Sequence, residues 1–195
     1  DLQFLTWEHP LVSGAIDLVV NGEFGNTAFV TFKLPPLKPG TILLEAIFTL
    51  SAIAPAELQL HRYLPLTSVR LLVDHRLSDL SAILSRAHLD RLAREAPLHN
   101  ARDLVRHTRQ QITRMITQTE ELAEAQKAQM VDSAIAAMHS ELSFEIDRLK
   151  ALAQVNPNIR QEEITTLEGL PEQLEACLGQ AQMRLDALRV AMVSE

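Results

Sequence analysis

Alternating apolar and polar positions predict β-strands in the first half of the chain. Every second residue from Ala28 to Leu34 is apolar, and the same period of two returns from Ile42 to Leu50. A proline-rich loop at residues 35–40 separates the two runs and cannot continue a strand ladder. Because short connections join successive strands, the pattern favours an antiparallel sheet.

Weaker signals surround these two strands. Pro10 suits the first turn of a short helix, which we expect to end near residue 20, before Asn21-Gly22. Leu58, Leu60, Arg62 and Leu64 alternate with Gln59, His61 and Tyr63. Val69–Asp74 is a shorter run that pairs as a hairpin with residues 80–83 in our interpretation.

A long amphipathic helix is predicted for the second half. Residues 98–155 contain neither glycine nor proline, and apolar residues recur there at spacings of three, four and seven. Such a helix is about 80 Å long, which is longer than a globular domain needs, so part of it should project as an arm. The apolar stripe of this arm needs a second helix to cover it. The second helix of a helical hairpin, which we call its second limb, is predicted for residues 161–168 and 171–183. The pattern of residues 185–193 fits either a helix or a strand, and we favour the strand.

Together these elements predict an α+β fold with two domains. Residues 1–97 form an N-terminal antiparallel β-sheet with a short helix. Residues 98–195 form a long antiparallel helical hairpin, a coiled-coil-like arm, and its C-terminal segment returns to the sheet if residues 185–193 are a strand.

Composition narrows the class of protein. The chain has 195 residues, 47% of them hydrophobic, which is enough for a real core. Its six glycines frame no Gly-Lys-Ser or Gly-Lys-Thr turn, so a P-loop enzyme is excluded for this chain, and its longest apolar stretch is too short to span a membrane. The single Cys177 indicates a reducing, cytoplasmic location. A start at Asp1 without a leader leads us to expect a piece of a longer protein.

No catalytic or metal-binding motif is found in the sequence. The nearest approach to a metal site is His99, Asp103 and His107, spaced by four residues, and we interpret them as surface residues of the helix. Cys177 lies between Ala176 and Leu178, where a thiol usually serves as packing. We therefore predict no catalytic residue, no metal and no cofactor in this chain.

Charge identifies one candidate contact surface, formed by Arg102, Arg106 and Arg109 on one face of the long helix. Arginine forms bidentate contacts with phosphate or carboxylate, so this face suits a nucleic acid or an acidic protein. The competing interpretation is a solvated face paired with Asp103 and the acids of the second limb. We favour the latter and expect no autonomous binding to nucleic acid, because the net charge is −7 and no aromatic residues are interleaved.

Five strings of residues together resemble a known family. They occur in the same order as in the C-terminal region of the bacterial RNA polymerase-associated RapA family, and they are Phe4–Leu11 (FLTWEHPL), Leu58–Pro65 (LQLHRYLP), Val69–Asp74 (VRLLVD), Val155–Arg160 (VNPNIR) and Leu185–Arg189 (LDALR). The resemblance spans the chain.

This resemblance implies a parent protein that is an ATP-dependent motor of the SWI/SNF helicase-like superfamily. The parent would bind RNA polymerase core and nucleic acid and promote polymerase recycling in transcription, with ATP and magnesium held in its upstream motor. This chain would then be a non-catalytic accessory or regulatory module that docks to the motor or the polymerase, with no membrane contact. The alternative is an independent coiled-coil scaffold or oligomerisation module that pairs through Val105 to Leu149.

Overall fold

The computed structural model describes residues 6, 9–21, 26–35, 37–95 and 98–194, except the side chains of residues 17–21, 95 and 98–100. Helices and strands follow one another in the order α1 (Pro10–Asn21), β1 (Thr27–Phe32), β2 (Ile42–Ser51), β3 (Thr67–Asp74), α2 (Arg86–Leu92), β4 (Arg94–Glu95), α3 (Leu98–Ala153), α4 (Gln161–Glu168), α5 (Leu170–Leu178) and β5 (Gln182–Val193). The predicted α+β class is confirmed. The short helix, the first two strands and the long helix form within two residues of their predicted bounds.

The sheet is mixed rather than purely antiparallel as predicted. Its strand order is β3-β2-β5-β1-β4, so the last strand of the chain lies between β2 and β1. β5 runs parallel to β1, from Thr27 opposite Leu188 to Phe32 opposite Val193, while β4 is antiparallel to β1. The antiparallel prediction assumed pairing between successive segments, whereas β1 pairs with a segment from the far end of the chain.

Residues 185–193 adopt the strand that we favoured over a helix. Val190, Ala191 and Val193 of β5 are buried. The proline-rich loop meets the end of this strand, since the Gly40 N–H donates to the carbonyl of Val193 over 2.8 Å. Gly40 has a φ of 83°, a left-handed conformation that glycine adopts without steric cost. This conformation directs the Gly40 N–H towards the carbonyl of Val193.

Residues 58–64 do not form the extended segment that their alternation suggested. They lie instead in two short 3₁₀ turns, Ala56–Leu58 and Leu60–Arg62, joined by Gln59 at a φ of 47°. A left-handed residue interrupts an extended backbone, and Leu60, Tyr63 and Leu64 are buried as a result. The hairpin expected after β3 is reduced to one bridge between Val73 and Asp79.

Two compact units make up the chain, and each has its own hydrophobic core. The first comprises Asp1–Ala46, Leu72–Met115 and Asp186–Glu195, and the second comprises Ile47–Leu71 and Ile116–Leu185. The core of the first unit consists of Phe32, Leu34, Leu43, Leu72, Leu89, Ala191 and Val193. The core of the second consists of Leu50, Leu60, Tyr63, Leu64, Ala134, Met138, Leu142, Leu174, Leu178 and Ala181. The division that the sequence suggested between residues 97 and 98 stays a prediction.

Within the second unit, α4 and α5 form the second limb of the predicted helical hairpin. Lys150 Nζ lies 2.6 Å from Glu168 Oε1, and His139 contacts Glu175 further from the turn. Positions fall along α3 as they rise along α4 and α5, so the two limbs are antiparallel. The second limb ends at Leu178 rather than at residue 183, because β5 begins at Gln182.

Candidate interaction surface

The three candidate arginines form one exposed face near the start of α3. Arg102, Arg106 and Arg109 are exposed, and spacings of four and three residues place them side by side on the helix. We call these three residues the arginine face. In the part of the chain that the structure describes, none of them forms an ion pair with Asp103 or with another acid of the first unit. The pairing that a structural role would require is therefore not found among the described residues.

The charge of α3 changes sign along its length. Residues 98–119 carry four arginines and one acid, Asp103, whereas residues 120–153 carry three basic and seven acidic residues. The positive potential of this helix is thus concentrated around the arginine face. Exposed charges act mainly within a Debye length of about 8–10 Å, so this local excess matters more to a nearby ligand than the net charge of −7.

A tight turn after β3 lies against the same part of α3. The carboxylate of Asp74 accepts hydrogen bonds from the backbone N–H groups of Arg76 and Ser78, both over 2.9 Å, and the side-chain amide of Gln111 donates to the carbonyl of His75 over 3.3 Å. An open groove of about 450 Å³ separates the turn from the helix. Its lining includes His75, Arg76, Leu77, His107 and Arg114. We call this space the turn groove.

An ion-pair network beneath the sheet was missed by the sequence analysis. Arg189 of β5 lies with Nη2 2.6 Å from Oε2 of Glu45 on the neighbouring strand β2, and with Nη1 2.5 Å from Oδ1 of Asp90 on α2. The Glu45 side chain is only 5% exposed and that of Arg189 17%. The sequence pattern had placed Glu45 on the polar face of its strand. A signal was present, since Glu45 is the one polar residue between Ile42 and Phe48 and Arg189 is the one polar residue between Ala187 and Val193.

Hydrogen bonding within this network shifts two pKa values. The hydrogen bond from Arg189 lowers the pKa of Asp90, and burial opposes the shift. Burial alone would lower the pKa of Arg189, but the hydrogen bond and charge of Asp90 and the charge of Glu45 together raise it. Asp90 and Arg189 are therefore charged at neutral pH, and the network joins β5, β2 and α2 of the first unit.

The weaker chemical candidates do not form a group of metal ligands among the described side chains. The ring Nδ1 of His107 donates to the carbonyl of Asp103 over 2.6 Å, and the side chain of His99 lies outside the described residues. Among the described residues, no three His, Cys, Asp or Glu side chains are grouped as a metal site would require. Cys177 is half-buried and packs against the core of the second unit. None of the described helices has the length and apolar character to cross a membrane.

Comparison with known proteins identifies the family. Residues 1–193 match the model described as "RNA polymerase recycling family C-terminal". Proteins named "RNA polymerase-associated protein RapA" are 39% identical over 194 residues in Pectobacterium carotovorum and 40% identical over 190 residues in Pseudomonas syringae pv. tomato. These alignments cover 100% and 97% of this chain and 20% of each relative, so the chain spans about a fifth of their length.

Sequence identity at this level over the full chain is sufficient to assign a family, although it does not assign a role to any residue. The turn, the arginine face and the ion-pair network described above all lie within the matched residues. The chain belongs to the RNA polymerase recycling family, whose C-terminal region it matches.

Proposed function

We propose that this chain is the C-terminal region of a longer RNA polymerase-associated protein, and that it serves there as a non-catalytic accessory module. Its task is to dock against the polymerase or against a motor in the same polypeptide and so to fix their relative positions. The family match and the names of the relatives support the first part of the proposal.

The arginine face is the observation that carries the docking role. Three exposed guanidinium groups lie on one helix, and the described residues supply none of them with an ion-pair partner. Each is preorganised for a bidentate contact with a carboxylate or a phosphate. Long helices hold such groups at fixed spacing, so the face suits a complementary acidic surface.

The alternative, a scaffold in which the apolar stripe of α3 pairs between chains, is less well supported. Met138 and Leu142 of α3 already share a core with Leu174 of α5, so the same chain covers this part of the stripe. A stripe that is covered internally has no need of a second copy. Among the described residues of α3, the exposed Val105, Phe144 and Leu152, at 41%, 73% and 39%, remain as reasons to consider it.

Neutralising the arginine face tests the docking role. In the longer protein, the triple variant Arg102→Gln, Arg106→Gln, Arg109→Gln is expected to bind core polymerase at least about tenfold more weakly, or to change its ATPase rate if the face docks on a motor. Affinity is measured by biolayer interferometry and ATPase by phosphate release, with and without polymerase.

Its matched control removes the same charge elsewhere. Arg148, Arg160 and Arg184 are exposed, and the same change to glutamine there should leave both quantities within about twofold. If the arginine-face variant matches the wild type in affinity and in ATPase rate, the docking role is wrong.

A further inference from the structure

The turn groove combines cationic and hydrogen-bonding groups without a carboxylate in its lining. Arg76 and Arg114 are exposed on opposite sides of it, and its other polar lining residues are His75, His107, Thr108, Gln110 and Gln111. Within the described residues, neither arginine forms an ion pair. A concave site with this lining attracts an anion.

The turn that presents Arg76 is held in place before any ligand arrives. The Asp74 carboxylate is engaged by two backbone N–H groups of the turn, and the Leu77 N–H donates to the Asp74 carbonyl over 2.9 Å. Leu77 itself has a φ of 66°, a strained conformation for a leucine. The link from Gln111 to the His75 carbonyl fixes the turn to α3. Such preorganisation reduces the entropic cost of binding.

Cations continue beyond the turn groove on both sides. A second groove, lined by Lys38 and Asp74 among others, shares His75 and Arg76 with the first. On α3, Arg114 is followed towards the helix start by the arginine face. A series of cations suits a polymer that carries one negative charge per repeat better than it suits a single small anion.

From these observations we infer that the turn groove binds the sugar-phosphate backbone of a single nucleic-acid strand. Phosphate contacts require only cations and hydrogen-bond donors such as arginine and glutamine. A stable protein interface usually adds apolar or aromatic anchors to its charged contacts, and Leu77, 38% exposed, is the only large apolar side chain among the described lining residues of the groove. The overall charge of −7 had argued against nucleic acid, but it is a sum over residues beyond the screening length.

Binding through phosphates alone has a recognisable signature. None of the described residues that line the groove is Phe, Tyr or Trp, so base stacking contributes little and binding depends only weakly on sequence. Affinity should be modest, with a Kd on the order of 10 µM at low salt, and about two phosphate contacts to a single strand give a slope of log K against log salt near −1.4.

Fluorescence anisotropy with a labelled single-stranded RNA of about 12 nucleotides tests the inference, using the full 195-residue chain from about 50 mM to 200 mM salt. The variant Arg76→Gln, Arg114→Gln is expected to bind at least about tenfold more weakly and to lose most of the salt dependence. The control Arg148→Gln, Arg160→Gln removes the same charge from exposed sites in the second unit and should stay within about twofold of the wild type. Thermal unfolding of all three proteins shows that each is folded.

Three results would overturn the inference. One is the absence of an anisotropy change with RNA at low salt. Another is an equal loss in the control variant, which would mean that net charge alone determines binding. The third is that a glutamate-rich peptide of similar length binds as tightly as the RNA, and that its binding is lost in the same groove variant. The groove would then be a site for an acidic protein. None of these depends on polymerase or ATPase, so they are separate from the docking test.

Discussion

Replacing Arg189 with methionine is expected to lower the free energy of unfolding by about 3 kcal/mol. The substitution keeps an unbranched apolar stem about as long as the aliphatic part of arginine but removes the guanidinium that lies 2.6 Å from Glu45. Glu45 is 5% exposed, so its charge cannot be solvated by water in compensation. Asp90 contributes less, because it is 47% exposed and keeps most of its hydration.

Urea unfolding followed by circular dichroism measures this loss. Arg184→Met is the matched control, since Arg184 lies on the same strand but is exposed, and we expect it to cost less than about 1 kcal/mol. Equal losses in the two variants would contradict the importance given to the buried pair. If the Arg189 prediction holds, the network is a major link between β5 and the rest of the first unit.

Truncating Leu174 to alanine is expected to cost about 3 kcal/mol of stability in the second unit. Leu174 is 1% exposed on α5 and shares a core with Met138 and Leu142 of α3. Removing three carbons there loses their transfer free energy and leaves a cavity that the rigid helices fill only in part. The second limb of the hairpin should therefore loosen first.

Leu66→Ala provides the matched control for this prediction. It removes the same atoms from a side chain of the same unit that is 81% exposed, so a change below about 0.5 kcal/mol is expected. Hydrogen exchange of the backbone amides of α4 and α5 then shows whether the stability lost in the Leu174 variant is lost in these two helices. Unaltered protection in α4 and α5 of the Leu174 variant would show that the limb is not held by this core.

Local patterns were sufficient to predict the elements whose neighbours in sequence determine them. The period of two in β2 and the uninterrupted stretch of α3 have no competing signal, so both were placed to within two residues. The resemblance through five short strings likewise anticipated the family. For the arginine face, the spacing of its three residues along a helix was sufficient to predict that they lie on one face.

The features that the sequence did not predict depend on contacts between residues that are far apart in the chain. β5 enters the sheet beside β1, about 160 residues away in the chain, and no local pattern records that choice. The burial of Glu45 follows from it, because Arg189 arrives with β5. The turn groove was missed for the same reason, since Arg76 and Arg114 are brought together by the fold. The 3₁₀ turns at residues 56–62 were missed for a different reason. Gln59 has a left-handed backbone conformation, which a glutamine in the sequence does not indicate.

Site-specific photo-crosslinking tests the docking role most directly. A photoreactive amino acid replaces Arg106 in the longer protein, and the protein is irradiated with core polymerase. We expect crosslinks from position 106 to polymerase or to a motor in the same polypeptide, and few from a probe at the exposed position of Arg160. Crosslinks that join only two copies of this chain, or that are no more abundant than those from position 160, would contradict it.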